Sequence, residues 1–494
     1  LPDMVPGNRA RRRAGLQRSG LCRWLIWLIA PKRVHEYVYE YQLIMKYYST
    51  NHKAPLASLQ QAVEQGLALD RGLYMPERIN LLPTSFFEHI DNMSFQELSF
   101  EVARALFGED VDEDDLRRIV YDTLNFETPV VKVRDNIYAL ELFHGPTLAF
   151  KDVGARFMAR LLQYFIRKDH SGTTSSSPDV NVLVATSGDT GSAVANGFLG
   201  VDGIHVYVLY PKGKVSHIQE SQFTTLGQNI TALEVDGVFD DCQALVKSAF
   251  MDDELKRHMT LTSANSINVA RFLPQAFYYF NAFAQLKRKG ILNLSADAAG
   301  RLGSNLVFCV PSGNFGNITA GLFAARMGLP VARFIAANNA NSVFYNYLQT
   351  GTYEPTASKQ TIANAMDVGA PSNFARIIDL YGNDWTKIKA DVSGATYSDD
   401  RIRRAMKTCY DATGYVLDPH GACGYQALCE QLKANEVGIF LETAHPAKFK
   451  ETVDAVDGTR IAIPPRLRRF MDGQKKSIPM TRSFDDFKQF LLKQ

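Results

Sequence analysis

The sequence lacks the marks of several protein classes. Its 494 residues include six cysteines, none in a Cys-x-x-Cys pair, and no His or Cys cluster has the spacing of a zinc site. No apolar run approaches the ~20 residues that span a bilayer. Lys+Arg total 54 and Asp+Glu 52, so the net charge of +2 gives no signal for nucleic acid or an anionic membrane. We expect a cytoplasmic protein with reduced cysteines and no metal, nucleic-acid partner or membrane anchor.

What the sequence does contain is a globular composition. The chain is 46% hydrophobic and 21% charged, and its length suffices for two or three domains. Residues 1–44 depart from this pattern, because six arginines precede a short apolar run at 24–30. That outline is typical of a signal peptide, although no Ala-x-Ala-like site follows, and also of a transit peptide. Since globular patterning begins at Met45, we favour a start site assigned too early and exclude 1–44 from the predicted fold.

The remaining chain has the patterning of an α/β protein. Helical spacing at 57–69 and 86–123 predicts a small N-terminal unit, and later helices are predicted at 242–250 and 484–492. Short apolar runs predict strands at 180–185, 204–210, 229–235, 306–310, 331–336 and 438–441. Strands separated by helical patterns favour a mostly parallel sheet.

Lys151 stands between an uncharged turn and a predicted helix. Gly145 and Pro146 mark the turn, residues 147–150 carry no charge, and apolar residues recur at helical spacing from 153 to 166. A lysine at a helix start is ordinarily solvated. A lysine desolvated at the buried end of such a turn has a lowered pKa and becomes an amine nucleophile suited to Schiff-base formation.

Two predicted strands run directly into polar, glycine-rich turns that precede helices. One turn covers residues 186–191 and the other residues 311–317. Ligands bind beyond the C-terminal ends of strands in open α/β sheets, and helix N-termini favour anions. Each turn is therefore a candidate phosphate or carboxylate site, although Gly, Ser and Asn cap helices regardless of function. Neither turn matches a P-loop or a dinucleotide fingerprint.

Two further segments add polar residues. Asn265 and Arg271 precede an aromatic-rich helix, where an arginine suits bidentate binding of phosphate and the alternative is an ordinary cap with a surface arginine. Thr443 follows a buried strand, where its hydroxyl can meet a ring nitrogen. One lysine with two anion sites suits a phosphate-bearing aldehyde cofactor and an amino-acid substrate. Pyridoxal 5'-phosphate has this anatomy.

Several long segments together resemble the threonine synthase family, in its longer bacterial and fungal type. They read ELFHGPTLAFKD, ATSGDTGSA, TSANSIN, VPSGNFGN, NAMDVGAPSNFAR and TAHPAKF, in family order over roughly residues 45–465. The resemblance implies the tryptophan-synthase-β-like (fold type II) pyridoxal phosphate fold, with two α/β domains around a cleft and an N-terminal domain. The implied divisions are 45–125 (N-terminal domain), 126–154 with 263–465 (large domain), 155–262 (small domain) and 466–494 (tail).

The resemblance also implies roles for individual residues. Lys151 is expected to carry the cofactor. The residues expected to bind the cofactor's phosphate are Gly313, Asn314, Phe315 and Asn317, with Thr443 at its ring nitrogen. The residues expected to bind the substrate carboxylate are Ser187, Gly188, Asp189, Thr190 and Gly191, and those expected at its phosphate are Asn265 and Arg271. Relatives in the fold often have Asn where this chain has Asp189.

The implied reaction converts O-phospho-L-homoserine and water into L-threonine and phosphate. A monomer or homodimer is expected. The alternatives of the same fold are a serine or threonine dehydratase and a synthase-like lyase that eliminates phosphate without making threonine. A non-catalytic ligand-binding protein is the alternative of another class, and retention of Lys151 beside both turns argues against it.

Overall fold

Two larger β-sheets organise the molecule, which we describe from a computed structural model. The structure describes residues 44–170, 179–296, 302–458 and 460–494, and Met45–Gln494 form one compact unit. The predicted extension 1–44 lies outside the described residues apart from Ile44.

The strands are short, as is usual for α/β proteins. In chain order they are β1 (Tyr47–Ser49), β2 (Tyr74–Pro76), β3 (Val130–Arg134), β4 (Ile137–Glu141), β5 (Val180–Ala185), β6 (Ile204–Pro211), β7 (Ile230–Val235), β8 (Thr260–Ser263), β9 (Leu294–Ala296), β10 (Leu302–Ser304), β11 (Leu306–Pro311), β12 (Arg333–Asn338), β13 (Val392–Thr396), β14 (Val437–Glu442) and β15 (Ile478–Met480).

Helices occupy most of the remaining described chain. They are α1 (Leu59–Gln65), α2 (Thr84–His89), α3 (Phe95–Phe107), α4 (Glu113–Thr123), α5 (Lys151–His170), α6 (Asp189–Phe198), α7 (His217–Thr224), α8 (Phe239–Met251), α9 (Asp253–His258), α10 (Val269–Phe272), α11 (Ala276–Arg288), α12 (Gly316–Arg326), α13 (Val343–Thr350), α14 (Phe374–Leu380), α15 (Trp385–Asp391), α16 (Asp399–Thr413), α17 (Pro419–Gln431), α18 (Lys450–Asp457), α19 (Pro465–Met471) and α20 (Phe484–Leu491). Short 3₁₀ helices cover Ile90–Asn92, Leu273–Gln275, Asn364–Met366 and Pro446–Phe449.

The larger sheet has six strands in the order β13-β12-β11-β14-β4-β3. All neighbours are parallel except the β3–β4 pair, which is antiparallel. Every residue of β11 and β14 is buried, because helices cover both faces of a parallel sheet. Since β11 and β14 are parallel neighbours in the middle of the sheet, the segments that follow them lie side by side at the C-terminal ends of these strands.

The second sheet is parallel throughout, in the order β15-β7-β6-β5-β8. Its strands β5, β6 and β7 were predicted within one residue at each end. Its edge strand β15 was not predicted, because it has three residues, includes Pro479 and exposes Ile478. A proline is tolerated in an edge strand at a position where the N–H of another residue would face solvent, because no hydrogen bond between strands is lost there. The C-terminal segment therefore completes this sheet.

The N-terminal helices form as the sequence predicts. Helix α1 starts at a capping box made by Ser58 and Gln61, and α3 at one made by Ser94 and Glu97. Their buried apolar faces join the core that also contains residues of both larger sheets. Across residues 44–170, 179–296, 302–458 and 460–494, no helix has the length and apolarity to cross a membrane, and no group of three or more His, Cys, Asp or Glu side chains is arranged to hold a metal ion.

Candidate active site

The loop that precedes Lys151 is fastened to the end of strand β14. We call residues 145–150 the lysine loop. The backbone N–H of Phe150 donates to the carbonyl of Thr443 at 2.9 Å, and an isolated antiparallel bridge joins the same two segments. Helix α5 begins at Lys151, so the structure brings the predicted cofactor lysine together with Thr443.

The lysine loop is held in a strained conformation by Asp152. Its carboxylate accepts from the N–H of Thr147 at 2.9 Å and from the Thr147 hydroxyl at 2.6 Å. Leu148 has a φ of +56°, which is unfavourable for a residue with a branched side chain. A Cβ added at Gly145 would lie 2.4 Å from an Asp152 oxygen, so a side chain there would displace the carboxylate. The loop keeps its shape because these contacts offset the strain.

The amine of Lys151 is held in a setting that favours its uncharged form. Burial lowers the pKa of Lys151 to about 8, against the opposing effect of the Asp189 carboxylate. The nearby cations of Lys448 and Arg271 lower this pKa further, and Asp418 opposes them weakly. This agrees with the expectation that a lysine at the buried end of the turn is desolvated.

The glycine-rich turn that is later in the chain connects β11 to α12. We call its residues 312–317 the Asn317 turn. The N-cap residue Phe315 has a left-handed φ of +61° and makes no side-chain cap hydrogen bond. The first N–H groups of α12, which have no intrahelical partners, are therefore not capped by it. A Cβ added at Gly313 would lie 2.7 Å from the Cα of Met366, so only glycine fits there. Because β11 neighbours β14, this turn lies beside Thr443 at the C-terminal ends of these strands.

Asn317 presents an unpaired donor. The hydroxyls of Tyr278 and Tyr279 each donate to its Oδ1 at 2.8 Å, which fixes the orientation of the amide. Its Nδ2 is buried and has no hydrogen-bond partner among the described residues. A buried donor without a partner costs about 1–3 kcal/mol, so an anion at this position would stabilise the site.

The side chain of Asn314 already has protein partners. Its Nδ2 donates to the hydroxyl of Ser266 at 2.7 Å, and its Oδ1 accepts from the N–H of Ser372 at 2.6 Å. Asn314 therefore ties the Asn317 turn to the segment that contains Asn265. Its backbone N–H remains the group through which it can contact an anion.

The second turn, the Asp189 turn (residues 186–191), connects β5 to α6. The hydroxyl of Thr186 accepts from the N–H groups of Gly188 at 2.9 Å and of Gly191 at 2.8 Å. Gly188 has a φ of +141°, and a Cβ there would lie 2.7 Å from the Gln219 side chain. The turn contains all five residues predicted to bind the substrate carboxylate: Ser187, Gly188, Asp189, Thr190 and Gly191.

Asp189 is paired with a buried lysine that the sequence analysis did not assign. The Nζ of Lys448 lies 2.6 Å from Asp189 Oδ1, and Gln219 Nε2 donates to the same oxygen at 3.0 Å. Burial alone would raise the pKa of Asp189, but the cations of Lys448 and Lys151 hold it below its usual range. The sequence signal for Lys448 was weak: a lysine in the short, largely apolar segment after the strand that ends at Glu442, with Lys450 two residues later.

Arg271 and Asn265 take up different positions at the site. Arg271 is buried, and its Nε and Nη1 donate to the carbonyls of Ala264 at 2.7 Å and Lys151 at 3.1 Å. Burial lowers the pKa of Arg271 to about 10. Asn265 Oδ1 is buried and has no partner in the described part of the chain. Arg271 thus contacts the backbone of the lysine, and Asn265 offers an unpaired amide.

Sequence reasoning missed a pair of buried acids: Glu442, the residue before Thr443, and Asp418, the N-cap of α17. The N–H of Asp418 donates to Glu442 Oε1 at 2.6 Å, and the ring of His420 lies 2.5 Å from Asp418 Oδ1. Burial, with the neighbouring Asp418 carboxylate, raises the pKa of Glu442 well above its usual value. The buried oxygens Asp418 Oδ2 and Glu442 Oε2 have no other partner among the described residues. The raised pKa favours the protonated form of Glu442, which can donate a hydrogen bond where the carboxylate cannot.

These residues fit pyridoxal phosphate. A lysine amine with a lowered pKa lies beside Thr443 and the Asn317 turn, and the turn presents free helix N–H groups with the unpaired Asn317 donor. The glycine at 313 allows the close backbone packing that the turn requires. The donor set matches a phosphate, and the amine matches an aldehyde.

Family models match almost the whole described chain. A model described as "Pyridoxal-phosphate dependent enzyme" matches residues 122–441. Models described as "Threonine synthase N terminus" and "Threonine synthase, C-terminal" match residues 46–124 and 421–491.

Individual relatives agree with these matches. The chain is 43% identical to a threonine synthase of Haemophilus influenzae over 450 residues, covering 91% of this chain and 100% of the relative. The crystal structure of threonine synthase from Escherichia coli superposes with a TM-score of 0.81 at 40% identity, covering 91% of this chain and 100% of that one. A pyridoxal-phosphate-bound threonine synthase from Brucella melitensis gives a TM-score of 0.83 at 32% identity, covering 91% and 99%. The predicted fold is confirmed, and the chain belongs to the threonine synthase family of pyridoxal-phosphate-dependent enzymes.

Proposed function

We propose that this protein converts O-phospho-L-homoserine and water into L-threonine and inorganic phosphate. The family supports a lyase of this type. The observation that carries the proposal is the Lys151 amine, with a pKa of about 8, next to two helix N-termini that suit two different anions. One helix N-terminus suits the cofactor phosphate and the other suits the substrate carboxylate, which leaves Asn265 and Arg271 for the substrate phosphate.

On the cofactor side, Lys151 would hold the reactive carbonyl carbon and Thr443 would donate to or accept from the ring nitrogen. The Asn317 turn holds the phosphate through Gly313, Asn314, Phe315 and Asn317, with Asn317 Nδ2 as the side-chain donor. When bound, pyridoxal phosphate supplies an electron sink for the carbanion left by loss of a proton from carbon.

On the substrate side, the Asp189 turn binds the carboxylate through N–H groups at the start of α6. Asn265 binds the departing phosphate through its amide nitrogen. Arg271 contributes the part of its guanidinium that the carbonyls of Ala264 and Lys151 leave free. Its charge stabilises the phosphate as negative charge develops on it.

Lys151 is the residue that moves protons at the substrate's α-carbon. A pKa of about 8 in place of 10.5 enlarges the uncharged fraction of the Lys151 amine near neutral pH, and it is the uncharged amine that accepts the proton. The surrounding apolar burial keeps water away until it adds at the β-carbon. The β-proton passes to the substrate's own phosphate or to Lys151, and the phosphate then leaves.

The direct test follows phosphate and threonine together. Purified holoenzyme is mixed with O-phospho-L-homoserine, with Lys151→Ala as the control, and both products are measured over time. Equal amounts of both products, abolished in the variant, are expected.

The other outcomes separate the alternatives. Phosphate without threonine would overturn the synthase activity and point to a phospho-lyase. Neither product, with the cofactor's visible absorption present, would overturn the substrate. Ammonia and a keto acid from serine or threonine would identify a dehydratase.

We also propose that the reaction takes place in the cytoplasm, by a monomer or homodimer. The cysteines in the described residues are unpaired, which suits a reducing compartment. Fluorescent tagging tests the location. Light scattering coupled to size exclusion tests the oligomeric state, and a trimer or larger assembly would contradict it.

A further inference from the structure

Lys448 is a buried lysine close enough to Lys151 to affect its pKa. It lies in the 3₁₀ helix Pro446–Phe449, shortly after Thr443, and its side chain has no exposure to solvent. An ammonium group is rarely buried unless it is paired, because removing it from water is costly. Its partners are the Asp189 carboxylate at 2.6 Å and the carbonyl of Thr147 at 3.0 Å.

The two partners belong to two different parts of the site. Thr147 lies in the lysine loop, four residues before Lys151, and its carbonyl also accepts from Gln222 at 3.0 Å. Asp189 opens helix α6 on the second sheet. Lys448 itself follows β14 of the larger sheet. One ammonium group therefore joins the lysine loop to the Asp189 turn.

The positive charge of residue 448 affects the protonation of the Lys151 amine. The groups that act on the Lys151 amine are Asp189, Lys448, Arg271 and Asp418. Those that face Lys448 also include Asp152 and His445. Asp189 alone would stabilise the ammonium form of Lys151 and make it a poor base. The Lys448 cation opposes this effect while it neutralises the buried carboxylate.

We propose that Lys448 is a positioning residue that fixes the Asp189 turn to the lysine loop and keeps the nitrogen of Lys151 available for proton transfer. This inference rests on the role of Lys151 in the proposed function. Lys448 acts through Asp189 and Thr147 rather than through contact with the substrate.

The test uses two single variants with opposite expected effects. Lys448→Met keeps the length of the side chain but removes its charge, and Asp189→Asn removes the opposing charge. The readout is a pH titration of the visible absorption of the bound cofactor in the holoenzyme without substrate, which reports the protonation of the Lys151 nitrogen. The midpoint is expected to rise by about one pH unit in Lys448→Met and to fall in Asp189→Asn.

Two controls complete the design. Lys450→Met makes the same replacement two residues away at a partly exposed lysine paired with Asp454, and its midpoint is expected to match the wild type. The double variant Lys448→Met with Asp189→Asn removes both charges and is expected to return the midpoint close to the wild-type value. The kcat/KM profile against pH is expected to follow the same order.

A purely structural role for Lys448 predicts loss of stability with no opposite shifts. Unchanged midpoints in both single variants, or shifts of the same sign, would overturn the inference. If Lys448→Met does not fold, the double variant decides, because it differs from Asp189→Asn only by the charge of Lys448. A midpoint as low as that of Asp189→Asn would overturn the inference. The titration needs no substrate, so it can fail while threonine is still produced, and it can succeed if the proposed substrate is wrong.

Discussion

The Asn317 turn and the Asp189 turn share one architecture but differ in charge. Each follows a parallel strand, contains a glycine that no other residue can replace without collision, and begins a helix. The Asn317 turn is lined by amides and hydroxyls and leaves one buried donor unpaired. The Asp189 turn contains a carboxylate that is neutralised by Lys448. Two turns of similar backbone therefore differ in their electrostatics: one is neutral with an unpaired donor, and the other contains its own ion pair.

The largest expected effect breaks the neutrality of the Asn317 turn. Asn317→Asp places a negative charge where a phosphate is proposed to bind, and like charges at this distance cost several kcal/mol. We expect cofactor affinity to fall by roughly 1000-fold, measured by equilibrium dialysis. Asn435→Asp adds the same charge at an exposed position and is expected to leave the affinity unchanged. Equal affinity in both variants would contradict a phosphate at this turn.

A smaller effect is expected from the backbone of the Asp189 turn. Gly188→Ala requires a φ of +141° from alanine and pushes its Cβ onto Gln219, which donates to Asp189. We expect a loss of about 2–3 kcal/mol in the free energy of unfolding, with a raised KM for substrate and unchanged cofactor affinity. Gly213 has a φ of +66°, and a Cβ added there would have no neighbour within 4 Å. For Gly213→Ala we therefore expect a loss of only about 1 kcal/mol in the free energy of unfolding. Equal losses in urea unfolding would show that the contact with Gln219 is unimportant.

The pH dependence of stability extends the comparison to the buried acid Glu442, which lies at the end of β14 beside the Asn317 turn. The pKa of Glu442 is raised by burial and by Asp418, so its contribution to stability is present below its unfolded pKa of about 4.5 and is lost as the pH rises through the folded value. Glu442→Gln mimics the protonated form, and its amide can donate to Asp418. We expect the variant to gain about 1–2 kcal/mol relative to wild type between pH 5 and pH 9, measured by urea unfolding. A parallel pH dependence in both proteins would show that Glu442 is ionised in the fold.

The smallest effect is expected outside both turns. Lys475 pairs with Glu220 and Glu234 at 2.7 Å each, and its side chain is 45% exposed. Because exposed ion pairs contribute little, Lys475→Met should reduce stability by less than about 1 kcal/mol and leave cofactor affinity and threonine formation unchanged. A large loss of activity would mean that the C-terminal segment influences the site.

Local sequence patterns predicted the backbone of the site well. The buried strands β5, β6, β11 and β14 were found because continuous apolar runs are bounded by turn residues. Lys151 and the two glycine-rich turns were found because helix starts and strand ends carry their own signals. Strand β12 lies about two residues later than predicted, since its pairing with β11 includes Ala337 but not the apolar Val331.

What the sequence did not predict depends on contacts between distant segments. Strands β8, β13 and β15 are short or half-exposed, so pairing with a neighbour rather than composition makes them strands. Lys448 meets Asp189 across roughly 260 residues, and no periodicity records such a pair. The raised pKa of Glu442 was missed for the same reason, because it arises from burial and from Asp418, which lies 24 residues earlier in the chain.

Strand β15 has a consequence for how the molecule assembles during synthesis. It closes the edge of the second sheet beside β7, although it is translated roughly 240 residues later. Until then, the N–H and C=O groups along the outer side of β7 lack their native partner, and such an edge can pair with another nascent chain. The native outer edge of the second sheet is therefore complete only after the C-terminal segment has been synthesised.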